Sequence, residues 1–215
     1  MPDTHQLLLF VAAGVLLNLT PGPDVLYIVT NSLRSGAKAG VVAALGINAG
    51  CFVHIFAAAL GVSALLAASA TAFAVLKWIG AAYLFYIGVR LLFARAPRSP
   101  EDMRAIARSQ PAMPFSKVFL GGFLTNALNP KVAIFFLAFV PQFIAPGAEH
   151  KALAFIELGA LFNVNSVFVN AGWALVAAWM ATRESVRAGM HWLDRAAGAM
   201  FIAFGLKLAL SDNPT

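Results

Sequence analysis

Long apolar runs fill most of this chain and limit what it can fold into. Six of them, at 6–33, 40–66, 71–93, 115–144, 152–181 and 193–210, are each long enough to cross a bilayer as a helix, because about 20 mostly apolar residues suffice. Only 11% of the residues are charged, whereas soluble domains carry about 25%. The sequence therefore predicts an all-α integral membrane protein with six transmembrane helices.

Proline-containing breaks interrupt the first and fourth runs near their centres. The residues that break the helices are Thr20, Pro21, Gly22 and Pro23 in the first run and Asn129 and Pro130 in the fourth. Proline removes a helical hydrogen-bond donor and clashes with the preceding turn. Unwound backbone at membrane depth is tolerated only where it is buried in protein or lines a cavity. Paired breaks are typical of a transporter binding site; a kink used purely for packing is the alternative.

The polar stretch 95–114 divides the runs into three plus three. It contains four prolines and most of the loop charge, so we interpret it as a flexible cytoplasmic linker. The segment Gly14–Asn18 resembles Gly122–Asn126. Because an odd number of spans turns the second copy upside down, the sequence predicts two inverted three-helix repeats, 1–94 and 115–215. A chance resemblance between apolar segments is the alternative.

The basic residues predict the orientation of the chain. If the N-terminus lies outside, ten of the fifteen Lys and Arg residues fall in cytoplasmic loops and three fall in outer loops. By the positive-inside rule, both termini are then outside. This topology accounts for the net charge of +6 without a nucleic-acid partner. The first run has no Lys or Arg before it and is too long for a signal peptide, so we expect it to be retained as a span.

Asp24 and Lys131 place charges directly after the two breaks. An unpaired charge inside a membrane costs about 3 kcal/mol on insertion scales. Such residues persist when they pair, line a water-filled cavity or bind substrate. The sequence predicts a substrate or ion site at these two charges, and a buried ion pair that joins the broken helices is the alternative. Freed amides near Gly22 and the following helix N-terminus would favour a carboxylate.

Polar side chains on other runs complete the candidate site, namely Asn18, Asn48, His54, Asn129 and Asn163. Asn163 and Asn170 share a helical face, which lines the pathway or makes interhelical hydrogen bonds. His54 could relay protons or be a hydrogen-bonded packing residue. Gly46 and Gly50 have the spacing of close helix contacts, either within one chain or in a homodimer.

Several catalytic patterns are missing from the sequence. It has no phosphate-binding Gly-Lys-Ser/Thr loop, no discernible Ser-His-Asp set and no cluster with the spacing of metal ligands. The single cysteine, Cys51, excludes a disulfide framework. We therefore expect a membrane transporter rather than an enzyme, with no cofactor and no metal site.

The order of these motifs resembles the LysE/RhtB family of amino-acid exporters. The matching segments are 20–24, 33–36 followed by Gly40, then Gly46 and Gly50, 77–88, 129–136 and 141–143. The resemblance implies a bacterial inner-membrane exporter of amino acids, driven by the proton gradient. The chain resembles the threonine/homoserine/leucine branch of the family more closely than the lysine/arginine branch.

Together these observations suggest how the chain would work. A zwitterionic amino acid would bind between the broken helices, with its carboxylate toward Lys131 and its ammonium toward Asp24, and Asp24 would also carry the proton. A cation or metal-ion exporter of a related six-span type is the first alternative, although it would need more oxygen, sulfur or imidazole ligands. A membrane enzyme or a non-transporting membrane protein is the second.

Overall fold

The computed structural model describes residues 4–62, 113–145 and 148–180, with isolated residues between 71 and 93 and between 199 and 209. Within the three continuous ranges the helices are α1 (Thr4–Leu19), α2 (Pro23–Ala57), α3 (Phe115–Ala127), α4 (Pro130–Ile134) and α5 (Lys151–Met180). A π-helix, Ala58–Val62, continues α2, while a π-helix, Phe135–Phe139, and a 3-10 helix, Val140–Phe143, continue α4. All regular structure in these ranges is helical, which confirms the predicted all-α class.

Both predicted helix breaks are present. Residues 20–22 separate α1 from α2, and residues 128–129 separate α3 from α4 with a bend of 45°. Pro23 and Pro130 are the first residues of α2 and α4, where proline is tolerated because its missing N–H would have no helical partner. The sequence thus folds as two helix pairs that are each interrupted at a proline.

The long helix α2 is a hairpin of two arms. Ser35 and Gly36 are not helical, and Gly36 has φ 81° and ψ 178°, a conformation that glycine adopts without a Cβ penalty. Asp24 and His54 both hydrogen-bond to Asn126, although 30 residues of straight helix would separate them by about 45 Å. The chain therefore reverses at Ser35–Gly36, and we call 23–34 the first arm and 37–57 the second arm. The reversal lies between the first two predicted spans.

The second arm packs backbone to backbone against α3. A Cβ on Gly46 would overlap the carbonyl oxygen of Phe119, and a Cβ on Gly50 would overlap that of Phe123. From the other side, Gly122 meets the Ala43 carbonyl in the same way. The predicted small-residue spacing therefore serves a contact inside the chain.

Two apolar clusters lie on either side of the breaks. The phenylalanine cluster comprises Phe10, Phe135, Phe136, Phe139, Phe143, Phe155 and Phe162 together with smaller buried residues. The small cluster comprises Ile28, Ala43, Ala44, Ile47, Val118 and Ala174. Charged and amide side chains of the breaks lie between them, so the molecule has a polar layer enclosed by two apolar ones.

The described residues cover only some of the six predicted spans. In the described part of the chain, two stretches are long and apolar enough to cross a membrane, 151–179 and 23–61, of which the second contains both arms of the hairpin. The bent pair α3 and α4 makes a third span if it is counted as one. More than half of each of the predicted spans 71–93 and 193–210, and nearly all of the linker 95–114, lie outside the described residues. The six-span count and the inverted repeats therefore stay predictions.

Candidate functional site

Asp24 joins the two breaks through one carboxylate oxygen. It lies in the first turn of α2, where a negative charge is stabilised by the helix dipole. Its Oδ2 accepts hydrogen bonds from Asn126 Nδ2 at 3.0 Å and from Asn129 Nδ2 at 2.9 Å. The other oxygen, Oδ1, is buried and has no hydrogen-bond partner among the described residues. One acceptor of the carboxylate is therefore left for a further donor.

Lys131 joins the same breaks in the opposite direction. Its side chain is 9% exposed, and Nζ donates to the carbonyls of Leu17 at 2.8 Å and Thr20 at 3.0 Å. Carbonyls at a helix C-terminus lack helical partners and carry a partial negative charge, so the ammonium stabilises the end of α1. An ammonium has three donors, and these bonds use two of them. A Cβ on Gly22 would lie 3.3 Å from Nζ, so glycine leaves room for this approach.

The two charges do not form a direct ion pair in the described part of the chain. Asp24 bonds to amides of the second break, whereas Lys131 bonds to carbonyls of the first. Each break thus supplies a charged side chain that binds neutral groups of the other break. These crosswise hydrogen bonds hold the two broken helices together. The predicted alternative, an ion pair as the lock, is not what this geometry uses.

Asn129 and His54 hold the second break in place. Asn129 caps α4, because its Oδ1 accepts from the Lys131 backbone N–H at 3.0 Å while its Nδ2 binds Asp24. His54 Nε2 lies 2.8 Å from the backbone carbonyl of Asn126, and a carbonyl can only accept, so Nε2 carries the hydrogen. The imidazole also stacks on Phe136, with ring centroids 6.3 Å apart.

A second polar group, which we call the asparagine chain, links three helices. Asn170 Nδ2 donates to Asn48 Oδ1 at 3.1 Å and to Ser166 Oγ at 3.0 Å. Ser166 Oγ in turn donates to Asn18 Oδ1 at 3.4 Å. These contacts connect α1, the second arm of α2 and α5. Asn163, one turn before Ser166, is 7% exposed, and its Oδ1 has no hydrogen-bond partner within the part of the chain that the structure describes.

The structure distributes the predicted residues over these two groups. Asp24, Gly22, Asn129, Lys131 and His54 meet at the breaks, while Asn18, Asn48 and Asn163 belong to or adjoin the asparagine chain. Pro21 and Pro130 shape the backbone around the site, with Pro130 exposed.

Two residues of these groups, Asn126 and Ser166, were not predicted as site residues, and Asn170 makes the interhelical hydrogen bond that was one of its two predicted roles. Asn126 binds both Asp24 and His54, and Ser166 and Asn170 carry the asparagine chain. Asn126 precedes Asn129 by three residues, a spacing that brings side chains together on one helical face. This spacing is the feature of the sequence from which Asn126 could have been predicted as a site residue.

Known proteins resemble this chain along most of its length. The family model described as LysE type translocator matches residues 15–212. An uncharacterized membrane protein of Pseudomonas aeruginosa is 36% identical over 93% of both chains. A homoserine/homoserine lactone efflux protein of Salmonella typhimurium is 30% identical, over 93% of this chain and 94% of its own. A leucine efflux protein of the same organism is 27% identical, over 93% and 92%.

No solved structure matches the chain. The family match nevertheless covers nearly all of the sequence and includes both helix breaks with Asp24 and Lys131. The efflux relatives agree with the predicted threonine/homoserine/leucine branch. This membrane protein therefore belongs to the family of LysE type translocators.

Proposed function

We propose that this protein is a secondary active exporter of neutral amino acids across the bacterial inner membrane, coupled to the proton gradient and with both termini outside. The observation that carries the proposal is the pair of opposite charges held where two broken helices meet, with Asp24 Oδ1 buried and without a partner among residues 4–62, 113–145 and 148–180. Membership of a translocator family and relatives named as leucine and homoserine efflux proteins support it.

The ammonium group of the substrate would bind at Asp24 and Asn126. Asp24 Oδ1 and Asn126 Oδ1 are both buried acceptors to which no described residue donates, and the two residues are already hydrogen-bonded through their other atoms. An ammonium has three donors and can satisfy both acceptors. Because a buried unsatisfied polar group costs about 1–3 kcal/mol, hydrogen bonds from the substrate ammonium to these two oxygens would favour binding.

The carboxylate group would bind near Lys131 and Gly22. The ammonium of Lys131 has a third hydrogen beyond its bonds to Leu17 and Thr20. Gly22 is the N-cap of α2 and has no side chain above the first amides of that helix, and a helix N-terminus favours an anion. A zwitterion would thus find a negative and a positive partner at one level of the molecule.

Asp24 would also couple transport to the proton gradient. Its carboxylate is the acid of the site, and it would hold the substrate ammonium only while it is ionised. A proton on Asp24 and a bound substrate then compete, as exchange of one for the other requires. Rocking of the two repeats around the breaks would open the site to each side in turn.

Efflux from proteoliposomes tests this function. Vesicles loaded with labelled threonine, homoserine, leucine or lysine should lose one or more of the neutral amino acids when a pH gradient is imposed. Asp24→Asn should abolish gradient-driven efflux, because an amide can neither carry the proton nor bind the substrate ammonium with a negative charge. The matched control is Glu157→Gln, which changes an exposed carboxylate on α5 and should leave efflux unchanged.

Two results would contradict the proposal. Normal coupled efflux in folded Asp24→Asn protein would remove Asp24 from the coupling mechanism. Failure of folded wild-type protein to release any of the four amino acids would reject amino-acid export itself.

A further inference from the structure

We propose that Tyr27 is a gate that closes the substrate site toward the hairpin turn of α2, and that Gly121 provides the space in which the closed gate packs. The proposal rests on the transport proposed above and adds the residue that must move before a substrate passes on that side. Its starting point is a hydrogen bond between residues 91 positions apart, from the Tyr27 hydroxyl to the Val118 carbonyl at 3.0 Å. The roles assigned to Asp24 and Lys131 do not use Tyr27.

Tyr27 lies one turn from the site on the face of the first arm that carries Asp24. Residues three apart share a helical face, and Tyr27 is about 4.5 Å further along the arm toward the hairpin turn. α3 runs past the arm in the opposite direction, since Asn126 binds Asp24 whereas Val118, eight residues earlier, binds Tyr27. The tyrosine therefore closes the crevice between the first arm and α3, between the site and the turn.

Glycine at position 121 allows the tyrosine to pack directly on the backbone of α3. A Cβ on Gly121 would overlap the Tyr27 hydroxyl oxygen and would lie 2.9 Å from its Cζ. Any larger residue would therefore push the tip of the tyrosine away from α3. The closed crevice depends on one side chain, its single hydrogen bond to Val118 and the absence of a side chain opposite.

The first arm is the element that can open this contact. It has non-helical backbone at each end, residues 20–22 before it and Ser35–Gly36 after it. Joints of this kind absorb the dihedral changes when a rigid segment rotates. In the small cluster the arm contributes Ile28, and three of the five other members are alanines, which interlock little with it. The second arm and α3 are instead held backbone to backbone.

Opening of the gate is coupled to the state of the site. Rotation of the first arm away from α3 breaks the Tyr27 hydrogen bond and also separates Asp24 from Asn126 and Asn129. The carboxylate would then face the opened crevice, where it can exchange a proton or a substrate ammonium. Closure would restore both sets of hydrogen bonds.

The reactivity of Cys51 in membrane vesicles measures whether the site is open. Cys51 is the one cysteine of the chain and is 1% exposed. It lies beside the site, because a Cβ on its neighbour Gly50 would be 3.0 Å from that of Asn126 and because the charge of Asp24 acts on the thiol. A small membrane-impermeant methanethiosulfonate is applied to right-side-out and to inside-out vesicles, and the labelling rates are compared.

Tyr27→Phe keeps the ring and removes only the hydrogen bond. Labelling of Cys51 from the side that carries Ser35 should become about two- to tenfold faster, the change in population expected from the loss of one hydrogen bond. Labelling from the other side should not change. Labelling of Ser35→Cys in a Cys51→Ala background identifies the side. The matched control is Thr125→Val, which removes a hydroxyl whose hydrogen bond stays within α3.

Gly121→Ala tests the same gate from the opposite helix. The added methyl group displaces the tip of Tyr27, so labelling from the Ser35 side should rise at least as much as in Tyr27→Phe. Gly172→Ala is the matched control, because a Cβ there would contact no described residue within 4 Å, and labelling should not change.

Faster labelling in Tyr27→Phe from the Ser35 side alone supports the gate. An unchanged rate overturns it, and so does an equal increase from both sides, which would indicate general loosening of the fold. If Gly121→Ala does not fold, Tyr27→Phe decides by itself. The labelling needs no transported amino acid, so it separates the two proposals: a gate that opens as expected in a protein that exports none of the tested amino acids would belong to a transporter of another substrate.

Discussion

Lys131 and Asp24 are buried groups of opposite charge, and each is hydrogen-bonded to neutral groups of the other break. Removing one of them leaves the opposite charge buried without its counter-charge. Lys131 holds the carbonyls at the end of α1, and Asp24 accepts from two amides at the second break. Removing one member of a buried charge pair is strongly destabilising, by about 3–5 kcal/mol in soluble proteins, whereas removing both can be close to neutral. The charges are not in direct contact, so their coupling should be smaller than that.

A double-mutant cycle measures this coupling. Lys131→Met and Asp24→Asn should each lower the thermal unfolding midpoint in detergent, and the double variant should be less destabilised than the sum, by about 0.5–3 kcal/mol. Lys38→Met, at an exposed position beyond the hairpin turn, is the control and should not move the midpoint. Strict additivity of the two single changes would show that the charges do not sense each other.

The sequence predicted which residues carry charge at the breaks but not which atoms they bind. A charged residue beside a proline in an apolar run can be recognised from the sequence alone, because burying that charge in a membrane costs free energy. The crosswise bonds depend on how α2 folds back at Gly36, which brings Asp24 and His54 to the same asparagine, Asn126. Asn126 was therefore overlooked as a site residue, because its importance comes from partners 102 and 72 positions away.

At the level of whole helices, the contact between the second arm of α2 and α3 depends on glycine. Gly50 lies against the backbone carbonyl of Phe123, and a backbone atom cannot move aside as a flexible side chain can. Gly50→Ala should therefore destabilise the protein by about 1–3 kcal/mol, the usual cost of overpacking a core. Thermal unfolding in detergent measures the effect.

Gly172 on α5 supplies the matched control for this substitution. A Cβ there would meet no described residue within 4 Å, so Gly172→Ala should be neutral or stabilise the helix by about 0.5–1 kcal/mol. Equal effects at Gly50 and Gly172 would show that helix propensity, and not the close contact, determines the cost.

The elements differ in how far the sequence predicted them. Prolines marked both breaks, and the glycine spacing marked the contact of α2 with α3. The sequence does not predict the π-helical segments Ala58–Val62 and Phe135–Phe139. Both are entirely apolar, so the change of helical register does not alter the pattern of polar residues. The sequence predicts only a loop at the hairpin turn, because the residue types at Ser35–Gly36 do not determine how tightly the chain reverses.

The arrangement of the two apolar clusters fixes which ends of the molecule lie together. α1 and the start of α5 pack in the phenylalanine cluster through Phe10 and Phe155. The first arm and the start of α3 pack in the small cluster through Ile28 and Val118. Ala174, near the end of α5, also belongs to the small cluster, so α5 runs from one end of the molecule to the other.

This arrangement predicts that Ser35 and His150 lie on opposite sides of the membrane. Ser35 is at the hairpin turn beyond the small cluster, and His150 precedes α5 at the other end; both are exposed. The 30 residues of α5 span about 45 Å, more than the hydrocarbon thickness of about 30 Å. Arg34 and Lys38 flank the turn, so the positive-inside rule places Ser35 in the cytoplasm.

Cysteine labelling tests both the opposition and the direction. The background variant Cys51→Ala removes the one native cysteine, which is buried, and Ser35→Cys or His150→Cys is added to it. A membrane-impermeant maleimide should label His150→Cys in intact cells, and Ser35→Cys only after the membrane is opened. The reverse pattern would keep the helical arrangement but invert the proposed topology, and with it the direction in which the site releases substrate. Labelling of both positions in intact cells would instead show that the two apolar clusters do not lie toward opposite faces of the bilayer.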